Sequence, residues 1–177
     1  MLKSNINLGD KSKFVGYGTN GETNCFDLCK MILKNYGINN PGTSSNVYTL
    51  KYEDNGELYY YGDNVLENYQ NAINCIDRHL ENNRPIIVGV HHTFNKGINE
   101  GTTDHFVVIY GRGFDGTNQY YNYYEVGKRD VAYGYNDETN RFIYELETPD
   151  FYDNISSRRD GCRFDVIQVR PNDGSII

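Results

Sequence analysis

Pro85-Ile86-Ile87-Val88-Gly89-Val90-His91 is an almost unbroken apolar run, and how it is read sets the fold. It is too short for a free-standing helix, it starts at a proline and it is rich in β-branched residues. It therefore reads as a central strand buried on both faces. Downstream, the polar loop Thr93 to Thr103 leads into a second apolar run, Asp104-His105-Phe106-Val107-Val108-Ile109-Tyr110-Gly111. Strands recur at Gln119 to Val126, Arg141 to Leu146 and Arg163 to Arg170, separated by Gly, Asn and Asp turns. Upstream, Asp63 to Asn82 places Val65, Leu66, Tyr69, Ala72, Ile73, Ile76 and Leu80 as the buried stripe of a helix, and Pro85 ends that helix. Before it, Val47 to Tyr52 and Glu57 to Tyr61 flank Asn55-Gly56, a strong hairpin signal.

The clearest helix is Thr23-Asn24-Cys25-Phe26-Asp27-Leu28-Cys29-Lys30-Met31-Ile32-Leu33-Lys34-Asn35-Tyr36-Gly37. Thr23 or Asn24 can cap it, Asp27 suits the positive end of the helix dipole, and Gly37 closes it. Helices first and consecutive strands afterwards predict an α+β chain with a mainly antiparallel sheet. The 177 residues fit a single domain, with residues 1–20 as an extended arm punctuated by Gly9, Gly16 and Gly18.

The net charge of −7 and the absence of a Lys/Arg cluster argue against a nucleic-acid partner. No apolar stretch is long enough to cross a bilayer, and the polar start carries no signal peptide. A role outside the cytoplasm would then need another secretion route, whereas a host-modifying or processing enzyme would be cytoplasmic. Seventeen tyrosines and no tryptophan predict a tyrosine-rich β surface, or a groove with aromatic walls.

The cysteines at 25, 29, 75 and 162 form no Cys-x-x-Cys pair, so no redox or zinc-ribbon motif is present, and a disulfide remains open. His91-His92 with Asp104-His105 suggests a metal site, but adjacent residues on a strand point to opposite faces, so the doublet chelates one ion poorly. Asp104 reads as a strand-start residue, and no metal and no cofactor is expected. His79, among Asp77, Arg78 and Glu81, reads as a surface residue. Cys25 sits in the first turn of its helix, where the dipole favours a thiolate; Cys29, one turn further in, reads as a small core residue. His105 opens a central strand and so faces the rim of the core, where a helix-borne thiol can meet a strand-borne imidazole as nucleophile and base.

Thr23-Asn24-Cys25 opening a helix that ends Asn35-Tyr36-Gly37 resembles the nucleophile helix of papain-like cysteine peptidases. The closer likeness is to the branch that includes the bacterial double-glycine leader peptidases. Arg84 to Val90 resembles a Pro- and β-branched-rich strand of that branch, and Gly101-Thr102-Thr103-Asp104-His105-Phe106-Val107-Val108-Ile109 with Gly111-Arg112-Gly113 resembles its histidine strand. The likeness spans residues 20–127, and the histidine motif is its more specific part.

The resemblance implies a papain-like fold, with the nucleophile helix packed on the sheet beside a second helix. It implies Cys25 as nucleophile, His105 as base and a polar residue on the next strand to orient the imidazole. Glu125 matches that place; Asn122 competes, but alternation turns it to the opposite face. No Gln precedes Cys25, so Asn20, with the Cys25 backbone N–H, stands in as the oxyanion donor. The implied activity is hydrolysis of an amide bond through a thioester, on protein or on bacterial cell-wall (peptidoglycan) peptide, by a delivered effector. A cognate inhibitor or immunity protein is the protein partner such an effector implies. The alternatives are a papain-like acyl transferase or host-modifying toxin, and an inactive peptide-binding domain.

Overall fold

The computed structural model describes residues 2–42, 46–92, 103–153 and 163–175. In chain order the elements are β1 (Ile6–Asn7), α1 (Cys25–Asn35), β2 (Tyr48–Thr49), β3 (Lys51–Asp54), β4 (Glu57–Tyr60), α2 (Val65–Glu81) and β5 (Ile86–His92). They continue with β6 (His105–Phe114), β7 (Gln119–Tyr124), α3 (Val131–Gly134), β8 (Arg141–Tyr144), β9 (Phe151–Asp153) and β10 (Phe164–Arg170).

Six antiparallel strands close on themselves in the order β6-β5-β10-β9-β8-β7 and back to β6. β1 extends the β5 edge of β6, and β2 extends the β9 edge of β10. The β3–β4 hairpin stands as a separate two-stranded sheet. This closed barrel corrects the expectation of a papain-like α+β fold built from a helix on a mainly antiparallel sheet. The physical cause lies in two irregularities and one short strand. A bulge at Tyr110 bends β6 against β7, and a bulge at Ile167 bends β10 against β5. Such extra residues increase strand twist and let a sheet curl until its edges meet. β9, three residues long, supplies the last pairing between β8 and β10.

Alternation divides the side chains between two cores. Val88 and Val90 of β5, Val107 and Ile109 of β6, and Tyr121 and Tyr123 of β7 form one core with the buried stripe of α2, Tyr69, Ala72, Ile73, Ile76 and Leu80. The opposite face, Ile87, Val108, Tyr110 and Tyr124, packs against Leu28, Cys29, Ile32 and Leu33 of α1. Each fully buried Leu or Ile in α1 contributes roughly 1.5–3 kcal/mol, enough to hold the helix on the barrel wall. α1 ends in a Schellman motif: Gly37 takes a left-handed φ of 78°, its N–H bonds to Lys34 O, and the Ile38 N–H bonds to Leu33 O.

Of the seventeen tyrosines, eleven keep part or much of the ring exposed, as a tyrosine-rich surface implies, and six are buried. Tyr69, Tyr110, Tyr121, Tyr123 and Tyr124 are among the largest fully buried side chains. Burial is tolerated because each hydroxyl finds a partner. Tyr121 donates to Asp77 at 2.9 Å, Tyr123 to Asp153 at 2.5 Å, and Tyr69 to the Glu145 carbonyl at 2.6 Å. Four of the six exposed tyrosines, Tyr52, Tyr59, Tyr60 and Tyr61, gather on and beside the hairpin. The residues read as an extended arm contain two 3-10 turns, Lys11–Lys13 and Thr19–Gly21, as well as β1. Among the described residues, no helix is long and apolar enough to cross a membrane.

Candidate active site

α1 begins at Cys25 because Asn24 caps it, its side-chain oxygen accepting the Asp27 N–H at 3.1 Å. Glu22 fixes the approach to the helix by accepting the N–H groups of Thr23 and Asn24 at 2.9 and 2.7 Å. His105 opens β6 opposite Val90 of β5. Glu125 is the first residue past β7, held there by its own N–H bonding to Gly134 O at 2.8 Å. Alternation along β7 puts Glu125 on the side of Tyr121 and Tyr123, the side on which His105 lies along β6 with Val107 and Ile109. The helix start, the strand start and the strand end thus meet at one rim of the barrel.

His105 and Glu125 make the tightest contact there. Nε2 of His105 lies 2.5 Å from Oε1 of Glu125, and the same oxygen accepts the Gly127 N–H at 2.8 Å. The carboxylate therefore claims Nε2 as donor, leaving Nδ1 as the ring nitrogen for the thiol. His105 also meets the Cys25 sulfur, through a hydrogen bond and through charge. The backbone N–H groups of Phe106 and Phe26 also point at the Cys25 sulfur. The Phe26 and Phe106 rings pack 4.9 Å apart, and the His105 ring lies 5.7 Å from that of Phe164. Gly127 is small for a reason: a Cβ there would lie 3.1 Å from Glu125 Oε1 and 3.4 Å from His105 Cε1.

The electrostatics form a chain of alternating charge. Burial opposes charge on His105, but the Glu125 carboxylate, with the hydrogen bonds to Cys25 and Glu125, overrides it and pushes the ring's pKa up to about 10. Burial likewise pushes the Cys25 thiol up, yet the His105 hydrogen bond and charge, with the two backbone N–H groups, bring its pKa below the ordinary value. Glu125 is lowered for the matching reason: burial raises it, and the charge and hydrogen bond of His105 outweigh that. All three shifts run toward the charged forms, so the contact favours a thiolate–imidazolium pair beside a carboxylate.

Three of the four site residues expected from the sequence are therefore together, and Asn20 is not among them. Asn20 sits in the exposed 3-10 turn with a left-handed φ of 53°, and it makes no hydrogen bond to Cys25, His105 or Glu125 among the described residues. The donors at the sulfur are instead the N–H groups of Phe26 and Phe106, which no sequence pattern announces because any residue supplies a backbone N–H. Asn122 faces away and donates to Asp137 O at 2.9 Å, so Glu125 alone reaches the ring. Cys29 is fully buried, and burial, with the Cys25 and Glu125 charges, raises its pKa well above the ordinary range.

His79 is not a surface residue. It is fully buried, its Nδ1 donating to Cys75 O at 2.8 Å and its Nε2 accepting the Asn172 N–H at 2.9 Å. Those two bonds fix a neutral tautomer and tie α2 to the chain end. Cys25, Cys29 and Cys75 are free thiols; Cys162, Gly101, Thr102 and most of the Thr93 to Thr103 loop lie outside the described residues. Comparison with models of known families, with curated proteins and with solved structures returns no match.

Proposed function

We propose that this protein is a cysteine hydrolase that cleaves an amide bond through a thioester at Cys25. The observation that carries the reading is the His105 ring set between the Cys25 sulfur and the Glu125 carboxylate, with each pKa moved toward the charged form. Nucleophile, base and orienting group recur in this relation on unrelated frameworks, so a closed barrel is no obstacle to it.

In this scheme the Cys25 thiolate attacks the substrate carbonyl and the negative charge moves to the oxygen, which backbone N–H groups at the start of α1 stabilise. The intermediate collapses by breaking the C–N bond as His105 gives its proton to the leaving amine. The acyl group remains on sulfur. Neutral His105 then takes a proton from water, whose oxygen attacks the thioester and releases Cys25 as thiolate. Glu125 holds the ring in one tautomer and stabilises the imidazolium at both stages.

The test is to incubate the full chain with a panel of peptides and muropeptides, and to follow both the products and the mass of the Cys25-containing peptide. Cleavage with a transient acyl adduct on Cys25, both lost in Cys25→Ser, is the expected result. Cleavage that survives in a folded Cys25→Ser protein would contradict the proposal.

A further inference from the structure

On the opposite face of β5 and β6 from the His105 ring lies a second cluster that the proposed reaction does not use. Glu53 comes from β3, His91 from β5, and Asp104 from the residue just before β6. One ligating atom from each lies within 4.8 Å of the other two. His91 Nδ1 is 2.6 Å from Glu53 Oε2 and 3.2 Å from Asp104 Oδ2. All three side chains are at least nine-tenths buried, at 5% exposure or less.

Asp104 points to a ligand most clearly. Its Oδ2 accepts the His92 N–H at 2.9 Å, but its buried Oδ1 has no hydrogen-bond partner, and no Lys or Arg among the described residues pairs with it. A desolvated carboxylate oxygen left in this state is costly. The neighbouring acid on the same sheet shows the contrast. Asp165 stands opposite His91 across β10, and its charge is met by Arg163 at 2.8 Å and Lys51 at 3.6 Å.

We infer that Glu53, His91 and Asp104 bind one divalent transition-metal ion of the zinc type, which clips the β3–β4 hairpin to the barrel. One imidazole nitrogen and two carboxylate oxygens suit zinc or manganese, whereas calcium and magnesium prefer oxygen alone. Bonds of about 2.1 Å to both His91 and Glu53 require their atoms about 3 Å or more apart, so the pair opens by roughly 0.5 Å as the ion enters and any proton held between them is released. The hairpin gains most from such a link because it lies outside the barrel's own strand pairing. Asp104 immediately precedes His105, so the same ion fixes the start of β6. The inference stands apart from the reading of Cys25.

The full chain, stripped with a chelator, is titrated with Zn²⁺ by calorimetry in the Cys25→Ser background, so that the thiol at the barrel rim cannot hold the ion. One equivalent of Zn²⁺ is expected to bind and to raise Tm by several degrees, and Asp104→Asn, nearly isosteric, is expected to weaken binding by about 100-fold or more. X-ray absorption at the zinc edge on the unmutated protein needs no variant to fold. One imidazole with otherwise oxygen neighbours supports the site. Sulfur or several imidazoles in the shell, no binding at all, or unchanged binding in a folded Asp104→Asn protein overturns it.

Discussion

Replacing Glu125 by Gln removes one negative charge from the buried chain of three while keeping the side chain's shape and an oxygen for the Gly127 N–H. The difference between a His105 pKa of about 10 and the ordinary 6.5 corresponds to roughly 5 kcal/mol in favour of the charged ring. Burial works against that charge and the carboxylate supplies most of what overcomes it. Without the carboxylate, the largest cause opposing burial is gone and the ring's pKa falls. Cys25 then loses the imidazolium that lowers its own pKa, and the pair reverts to thiol and imidazole. The expected loss in turnover is about 10²-fold or more. Alkylation of Cys25 by iodoacetamide, read by mass spectrometry, reports the thiolate without any knowledge of the substrate. The sign follows from the directions of the shifts: the pair persists from the lowered Cys25 value up to about 10, is lost in acid as the thiolate protonates, and is lost in alkali as the ring deprotonates. At about pH 6 the native protein should therefore alkylate at least about 10-fold faster than Glu125→Gln. Equal rates across the pH range, with both proteins folded, would refute the reasoning.

Cys25→Ser should abolish both alkylation at this site and turnover, whereas Cys29→Ala, which opens a small cavity against α1, should cost about 1–2 kcal/mol in chemical denaturation and leave the alkylation rate of Cys25 intact. Asn122→Ala removes the bond to Asp137 O and should lower stability by about 1 kcal/mol with no change in the pH profile of alkylation. Gly127→Ala places a methyl group 3.1 Å from Glu125 Oε1, so turnover should fall about 10-fold with the circular dichroism spectrum unchanged.

The sequence carried local signals well and closure poorly. α1 was legible because its cap, its buried stripe and Gly37 agree, and the β3–β4 hairpin because Asn55 and Gly56 both take the positive φ their turn requires. β5 and β6 were legible as apolar runs. The barrel was not, because it depends on bulges at Tyr110 and Ile167 and on β9, none of which leaves a periodic trace. Which tyrosines are buried was not legible for a related reason: a buried phenol needs a partner such as Asp77 or Asp153, which only the fold brings to it. At the rim, a cysteine at a helix start and a histidine at a strand start were visible as separate signals. Alternation said only that one of Glu125 and Asn122 could face the ring, and the resemblance, through the place at the strand's end, pointed to Glu125. The Phe26 and Phe106 N–H groups were invisible, since backbone donors are independent of residue type. In the Glu53–His91–Asp104 cluster, His91 and Asp104 were visible as candidate ligands, but Glu53 was not, because it arrives from a hairpin far away in the chain.

The central claim is that Cys25 rests as a thiolate against a protonated His105. Ultraviolet thiolate absorbance, taken as the difference between the native protein and Cys25→Ser across a pH titration, measures that state without substrate or label. The account predicts a single Cys25 step below the ordinary thiol value of about 8.5, moving up in Glu125→Gln. A Cys25 step at or above about 8.5 in the native protein, unmoved by Glu125→Gln, would contradict it.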